Sequence, residues 1–231
     1  MSKALYFVRK TKNKIVYKTK KLDVVTDKLI SSLKWPNNLQ TLEILFDEDI
    51  ENIHMILNRR VSRKYVVRLI YSVDRDKLLV PQIEQLVQKI WVRPPLNANE
   101  LQSVFIKTQA LFFIGPYAEY LDHAYFSDTA NFIKVDLKIS RSACFIKNKQ
   151  HIGLLNILHL DNKTDLVAWV WIAKELPPEE RRTVHYKLAD CLKKSKAENI
   201  ISVVHSFNTR SNLFFRKLGF KPTCIQIAKT V

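Results

Sequence analysis

Few side chains in this chain are placed to do chemistry. The six histidines, His54, His123, His151, His159, His185 and His205, show no HExxH or other ligand spacing, and Cys144, Cys191 and Cys224 stand far apart with no CxxC pair. Metal sets and redox pairs need such spacing, so no structural metal is expected and the thiols read as reduced and buried. Two stretches remain. In residues 178–186, PEERRTVHY, Arg181 and Arg182 could each grip a phosphate through a bidentate guanidinium, next to Glu179 and Glu180, which would repel it. In residues 205–220, HSFNTRSNLFFRKLGF, a strand ends at His205, a short apolar helix follows, and Phe220 opens another strand. Asn208 is a good helix N-cap because its side-chain oxygen can accept from free N–H groups of the first turn. Gly219, one of three glycines, sits where the helix would stop in a left-handed conformation.

The spacing N-x-x-S-x-x-F-F-x-x-L-G-F resembles the last signature of the GNAT superfamily, the acyl-CoA-dependent N-acyltransferases. Asn208, Ser211, Phe214, Phe215, Leu218, Gly219 and Phe220 fall on its N-x-x-A/S-x-x-L/F-Y-x-x-L-G-F positions. The resemblance implies a donor, acetyl-CoA or another acyl-CoA, and an amine acceptor that attacks it directly. It places the pantetheine arm on the backbone of Val170, Trp171 and Ile172, the phosphates at Arg181, Arg182 and Thr183, and the coenzyme side of the corner at Asn208, Ser211 and Phe215. His205 would be the base, with Ser206 or a water as relay; a lone histidine at a strand end can equally be a hydrogen-bonded structural residue.

Two departures are visible. The family's R/Q-x-x-G-x-G/A run should fall near Arg181 to Tyr186, but Thr183, Val184, His185 and Tyr186 stand there, and side chains obstruct the close approach of phosphate that glycine permits. Phe215 replaces a tyrosine that often protonates the leaving thiolate. A second reading is therefore open: a catalytically degenerate GNAT scaffold that binds nucleic acid or a protein partner through its basic surface. Transfer from an aminoacyl-tRNA would join both features.

The elements that must position these residues follow from periodicity. A basic hairpin is predicted from ALYFV (4–8) and KIVYK (14–18), a helix over 22–33, a strand at 41–46, a helix over 47–60, a strand at 64–72 and a helix over 76–91. WVRPP (91–95) is the predicted boundary between an accessory α/β region, 1–95, which could be a degenerate GNAT-like half, and a GNAT-like domain, 96–231. In the second part helices are predicted at 100–108 and 117–125 and strands at 132–139, 142–148, 151–160 and 166–172. An amphipathic helix follows, with Val184, Leu188, Cys191 and Leu192 on one face. The expected class is α/β (α+β): a GNAT-like mixed, mostly antiparallel sheet flanked by helices.

Composition sets the outer bounds. With 231 residues, 47% apolar and 10% aromatic, a core is affordable. No apolar run approaches the roughly 18 to 20 residues of a membrane span, and the N-terminus has no secretory apolar segment, so a cytoplasmic protein is expected. The net charge of +16 attracts polyanions, nucleic acid or coenzyme phosphate among them, and also suits a merely solvated lysine-rich surface. Oligomeric state is not legible.

Overall fold

The structure is a computed structural model that describes residues 5–10, 14–19, 25–33, 41–47, 50–61, 65–83, 87, 89–114 and 140–229. In chain order its elements are β1 (Leu5–Lys10), β2 (Lys14–Thr19), α1 (Asp27–Ser32), β3 (Thr41–Leu45), α2 (Ile53–Arg60), β4 (Tyr65–Asp74), β5 (Trp91–Arg93) and α3 (Ala98–Ile114). They continue with β6 (Ser140–Lys147), β7 (Gln150–His159), β8 (Thr164–Ile172), α4 (Pro178–Lys193), β9 (Asn199–His205), α5 (Thr209–Lys217) and β10 (Lys221–Lys229). The chain forms two compact units, Met1–Ser72 with Val203–Val231, and Val73–Ser202.

In the first unit the strands lie in the order β1, β2, β3, β10, β4, with β2 and β3 parallel and the other neighbours antiparallel. Alternation explains β4: Val67, Leu69 and Tyr71 are buried while Val66, Arg68 and Ile70 are half-buried. α1 begins at Thr26, whose hydroxyl accepts from the Leu29 N–H, so the helix predicted over 22–33 is shorter at its start. α2 likewise begins only at Ile53, after Asn52 has turned the backbone to φ 56°, which leaves Ile50 and Glu51 outside the helix predicted over 47–60.

In the second unit the order is β9, β8, β7, β6, β5. The pair β9/β8 is parallel and the rest antiparallel. Asn148 and Lys149, at φ 49° and 64°, make the two-residue turn between β6 and β7, a conformation whose twist suits a hairpin. α3 sets Leu101, Val104 and Phe105 on Cys144 and Leu154. α4 buries Val184, Leu188 and Leu192, with Cys191 half-buried beside them. Parallel neighbours require a crossover, and α4 supplies it between β8 and β9.

This succession of meander, crossover helix, parallel strand, capped helix and final strand is GNAT-like, and the mixed, mostly antiparallel class is as expected. The predicted helix over 76–91 is a correction. Arg75–Lys77 is a single tight turn, 78–83 is irregular, and Trp91–Arg93 is a strand paired with β6. Arg75 is bound through its N–H to the Glu198 carbonyl, Lys193 Nζ donates to the carbonyls of Arg75 and Asp76, and the Val87 N–H donates to Thr183 Oγ1. Those long-range bonds, with Pro81 lacking an N–H, outweigh the helical spacing of the apolar residues. The helix predicted at 117–125 and the strand at 132–139 lie outside the described residues. Among the described residues no helix is long and apolar enough to cross a membrane.

Candidate functional site

In the first unit the GNAT-like signature folds as a strand exit, a corner and a capped helix. Asn208 Oδ1 accepts the Ser211 N–H at 3.1 Å. At the far end Gly219, at φ 87°, closes the helix: its N–H donates to the Arg216 carbonyl at 2.9 Å and the Phe220 N–H to the Phe215 carbonyl at 3.1 Å. Between them stands Asn212, which sequence reasoning missed. Fully buried, it donates through Nδ2 to the carbonyls of His205, Ser206 and Asn208 and accepts the Tyr71 hydroxyl on Oδ1 at 2.9 Å. The available signal was an asparagine four residues after the cap, inside a helix where its intrinsic propensity is poor.

His205 and Ser206 are brought to this corner and both are buried. Burial first, then the Arg68 guanidinium, pushes His205 down to about 3, and its ring stacks on Phe207 at 4.9 Å. His205 is thus a neutral, weakly basic imidazole. The Ser206 N–H donates to the Val67 carbonyl, and its carbonyl also accepts from Asn58 Nδ2. Phe215 lies in the core, against Tyr71 at 6.3 Å and Phe220 at 5.0 Å.

In the second unit, β8 carries Val170, Trp171 and Ile172. Its ladder with β9 includes Thr164 opposite Asn199 through Val167 opposite Ser202, and its ladder with β7 reaches Ile172 opposite Gly153. Trp169 and Trp171 pack against the core under α3, and Trp169 Nε1 donates to Thr108 Oγ1.

The start of α4 is already occupied by the protein's own side chains. Arg181 donates to the carbonyls of Lys174 and Leu176, at 2.6 and 3.1 Å. Thr183 is buried and its hydroxyl accepts the Val87 N–H. Glu180 is buried and pairs with Lys147 at 2.5 Å, while its other carboxylate oxygen has no partner. Arg182 is exposed. No side chain caps the helix, and Pro178 removes one of the N–H groups that a phosphate would need.

Two further clusters are built into this unit. Glu100, Cys144 and His151 offer ligand atoms within 4.8 Å of one another, a geometry able to surround a cation. Arg93 already pairs with Glu100 at 2.5 Å and holds its carboxyl down to about 2, while burial, then Glu100, pushes the Cys144 thiol up to about 11. Arg93 and His151 thus already engage the ionised Glu100 carboxylate, which a cation would have to compete for. Separately, the buried Asp165 joins His159 Nδ1 at 2.5 Å to the Ser195 hydroxyl, tying the β7–β8 hairpin to the end of α4.

No protein-family model matches the chain, and no curated protein does. Among solved structures it is similar to a functionally unknown conserved protein from Staphylococcus epidermidis, at 12% identity and TM-score 0.54, covering 98% of this chain and 95% of that one. A conserved protein of unknown function from Bacteroides thetaiotaomicron is similar at 9% identity and TM-score 0.52, over 94% and 79%. A GCN5-related N-acetyltransferase from Sphaerobacter thermophilus is similar at 9% and 0.49, over 97% and 75%. Identities this low speak to fold alone.

Proposed function

We propose that the chain is an N-acyltransferase that passes an acyl group, acetyl first among candidates, from acyl-CoA directly to an amine. The observation that supports it is the order β8, α4, β9: β8 pairs parallel with β9 at Thr164–Val167, continues to Ile172 opposite Gly153 of β7, and leads into α4. The backbone at the end of such a strand can receive the amides of a pantetheine arm as an added strand would be received. Bound there, acyl-CoA would supply an activated thioester to a neutral amine: as the C–N bond forms and the C–S bond breaks, the proton shed by the nitrogen would leave with the sulfur as the free thiol. Val170, Trp171 and Ile172 are the proposed backbone contacts. The phosphates fall to Arg182, because Arg181 and Thr183 would first have to release their present partners.

His205 and Ser206 are the proposed proton relay, with His205 too weak a base to deprotonate an ammonium acceptor by itself. A base whose conjugate acid titrates near 3 cannot hold the proton of an ammonium group, so the amine has to arrive already neutral. The rate should therefore climb with pH through the acceptor's own pKa, with no inflection near 6.5. Titration with acetyl-CoA, read by heat and by the fluorescence of Trp171 and its neighbour Trp169, tests the reading; silence in both at high micromolar ligand would remove it.

The start of α4 favours a second reading, a GNAT-like scaffold that binds nucleic acid or a protein. Its acids, its committed Arg181 and Thr183, and the lack of glycine all oppose a phosphate cradle. A chain indifferent to acyl-CoA yet retarded by polyanions in a salt-sensitive way would establish it.

A further inference from the structure

The first unit ends in a strand that nothing in the described fold covers. β1 is the outermost strand of its sheet, paired on one side only, with β2. Tyr6, Phe7 and Val8 are 47%, 63% and 47% exposed, and Arg9 and Lys10 beside them are exposed too. Consecutive strand residues point to opposite faces, so neither face of β1 is buried. Native proteins blunt such edges with charge, brevity, bulges or cover, and three successive large exposed apolar residues mark β1 as a candidate binding edge.

Registry sorts these residues. Phe7 stands opposite Tyr17, and the two rings meet edge to face at 6.0 Å. Tyr6 stands opposite Lys18, and after the irregularity between Phe7 and Arg9, Arg9 stands opposite Val16 and Lys10 opposite Ile15. Each face therefore offers an aromatic ring with a cation nearby. Lys14 and Lys18 are offset by Glu43 and Asp47, but the first 22 residues carry eight cations and no acid.

We propose that β1, with β2, is a docking edge for a single-stranded polynucleotide, whose bases stack on Phe7 and Tyr6 while Arg9 and Lys10 take its phosphates. Charge selects this occupant. A second copy would bring together two chains that each carry a net charge of +16, which mutual repulsion opposes. An anionic lipid surface would be met best by apolar residues between the two strands, yet the sequence that links β1 to β2 is polar and the apolar residues lie within β1. Duplex keeps its bases stacked on each other, and only unpaired bases can use an exposed ring.

The test is fluorescence anisotropy of the full chain with a labelled 12-nucleotide oligo-U and a 12-base-pair duplex, over a salt series. The expected result is tighter binding of the single strand, weakening linearly in log salt. Tyr6→Ala and Phe7→Ala should each weaken it by about tenfold at unchanged salt slope, the mark of lost stacking. Phe7→Leu, which keeps an apolar strand residue and removes the ring, should lose a similar factor and guards against loss by misfolding. Arg9→Gln with Lys10→Gln should flatten the slope by about 0.7 per charge removed. Four results each overturn the proposal: aromatic variants that bind like the parent chain, equal affinity for duplex, a dimer in light scattering that Phe7→Asp dissociates, or binding to anionic vesicles lost with the same substitutions.

Discussion

Asn212 holds the corner after β9 by serving four partners with one amide: the Tyr71 hydroxyl and the carbonyls of His205, Ser206 and Asn208. Asn212→Ala would remove one hydrogen bond from each, while the His205 and Asn208 carbonyls keep backbone N–H donors and the Ser206 carbonyl keeps Asn58, and a loss of about 1 to 3 kcal/mol is expected in urea unfolding. His205 makes a second prediction at this scale. Its folded pKa, about 3, lies below the ordinary 6.5, so between those values the unfolded chain binds a proton that the folded chain does not. Stability is then full above about pH 6.5 and falls as pH drops toward 3, by up to about 1.4 kcal/mol per pH unit. His54, fully buried with neither ring nitrogen partnered and also shifted down, by burial and then Arg216, acts in the same direction. Urea midpoints at pH 7.5 and 5 should converge in His205→Phe relative to the parent chain, and an undiminished gap would deny His205 this role. The corner was legible in sequence through Asn208 and Gly219, whose backbone duties are local. The engagement of Arg181, Thr183 and Glu180 was not, because their partners, Lys174 and Leu176 apart, are remote in sequence.

Helix ends and tight strand crossings are where single substitutions reach whole elements. α5 depends on Asn208 at its start and Gly219 at its end, so Asn208→Ala should cost about 1 kcal/mol. Gly219→Ala, forced to φ 87°, should cost a similar 1 to 2 kcal/mol, roughly, both read as shifts in the unfolding midpoint. Gly153 shows a different constraint: a Cβ there would lie 3.2 Å from Phe145 Cβ and from the Trp171 carbonyl oxygen. Gly153→Ala should destabilise by about 1 to 3 kcal/mol and disturb β8 at Trp171, moving acyl-CoA affinity if that strand holds the donor. Strands of the meander at 142–148, 151–160 and 166–172 were legible because alternation and β-branched composition agree there. Residues 76–91 were not. Their apolar residues recur at helical spacing, but Leu78 and Ile90 are buried without helix formation, and the ties from Arg75, Asp76 and Val87 to α4 and its flank are invisible to a local reading.

Both chain ends build the first unit, and this sets how the molecule can be divided. β10 lies between β3 and β4, with Ile225 opposite Ile44 on one side and Leu69 on the other. Phe215 packs on Tyr71, Arg216 reaches the Ile50 carbonyl and Asn58 the Ser206 carbonyl. A fragment of 96–231 would keep α5 and β10 but lose both strand neighbours, every one of these partners and β5 of the second unit. An unpaired strand with Ile225 and Ile227 uncovered is an aggregation site as well as an unfolded one. Residues 73–202 keep the pairings from β5 to Asn199–Ser202 of β9, and the α3 core. Expressed separately, 73–202 should therefore give a dispersed amide spectrum and a cooperative melt, whereas 96–231 should be insoluble or lack both. A cooperative melt from 96–231 would mean that the pairing of β10 with β3 and β4 is dispensable and that the chain divides at residue 95 after all. The same topology makes folding slow relative to chains of local contacts, since β10 closes on β3 and β4 only after some 150 residues of intervening chain are in place.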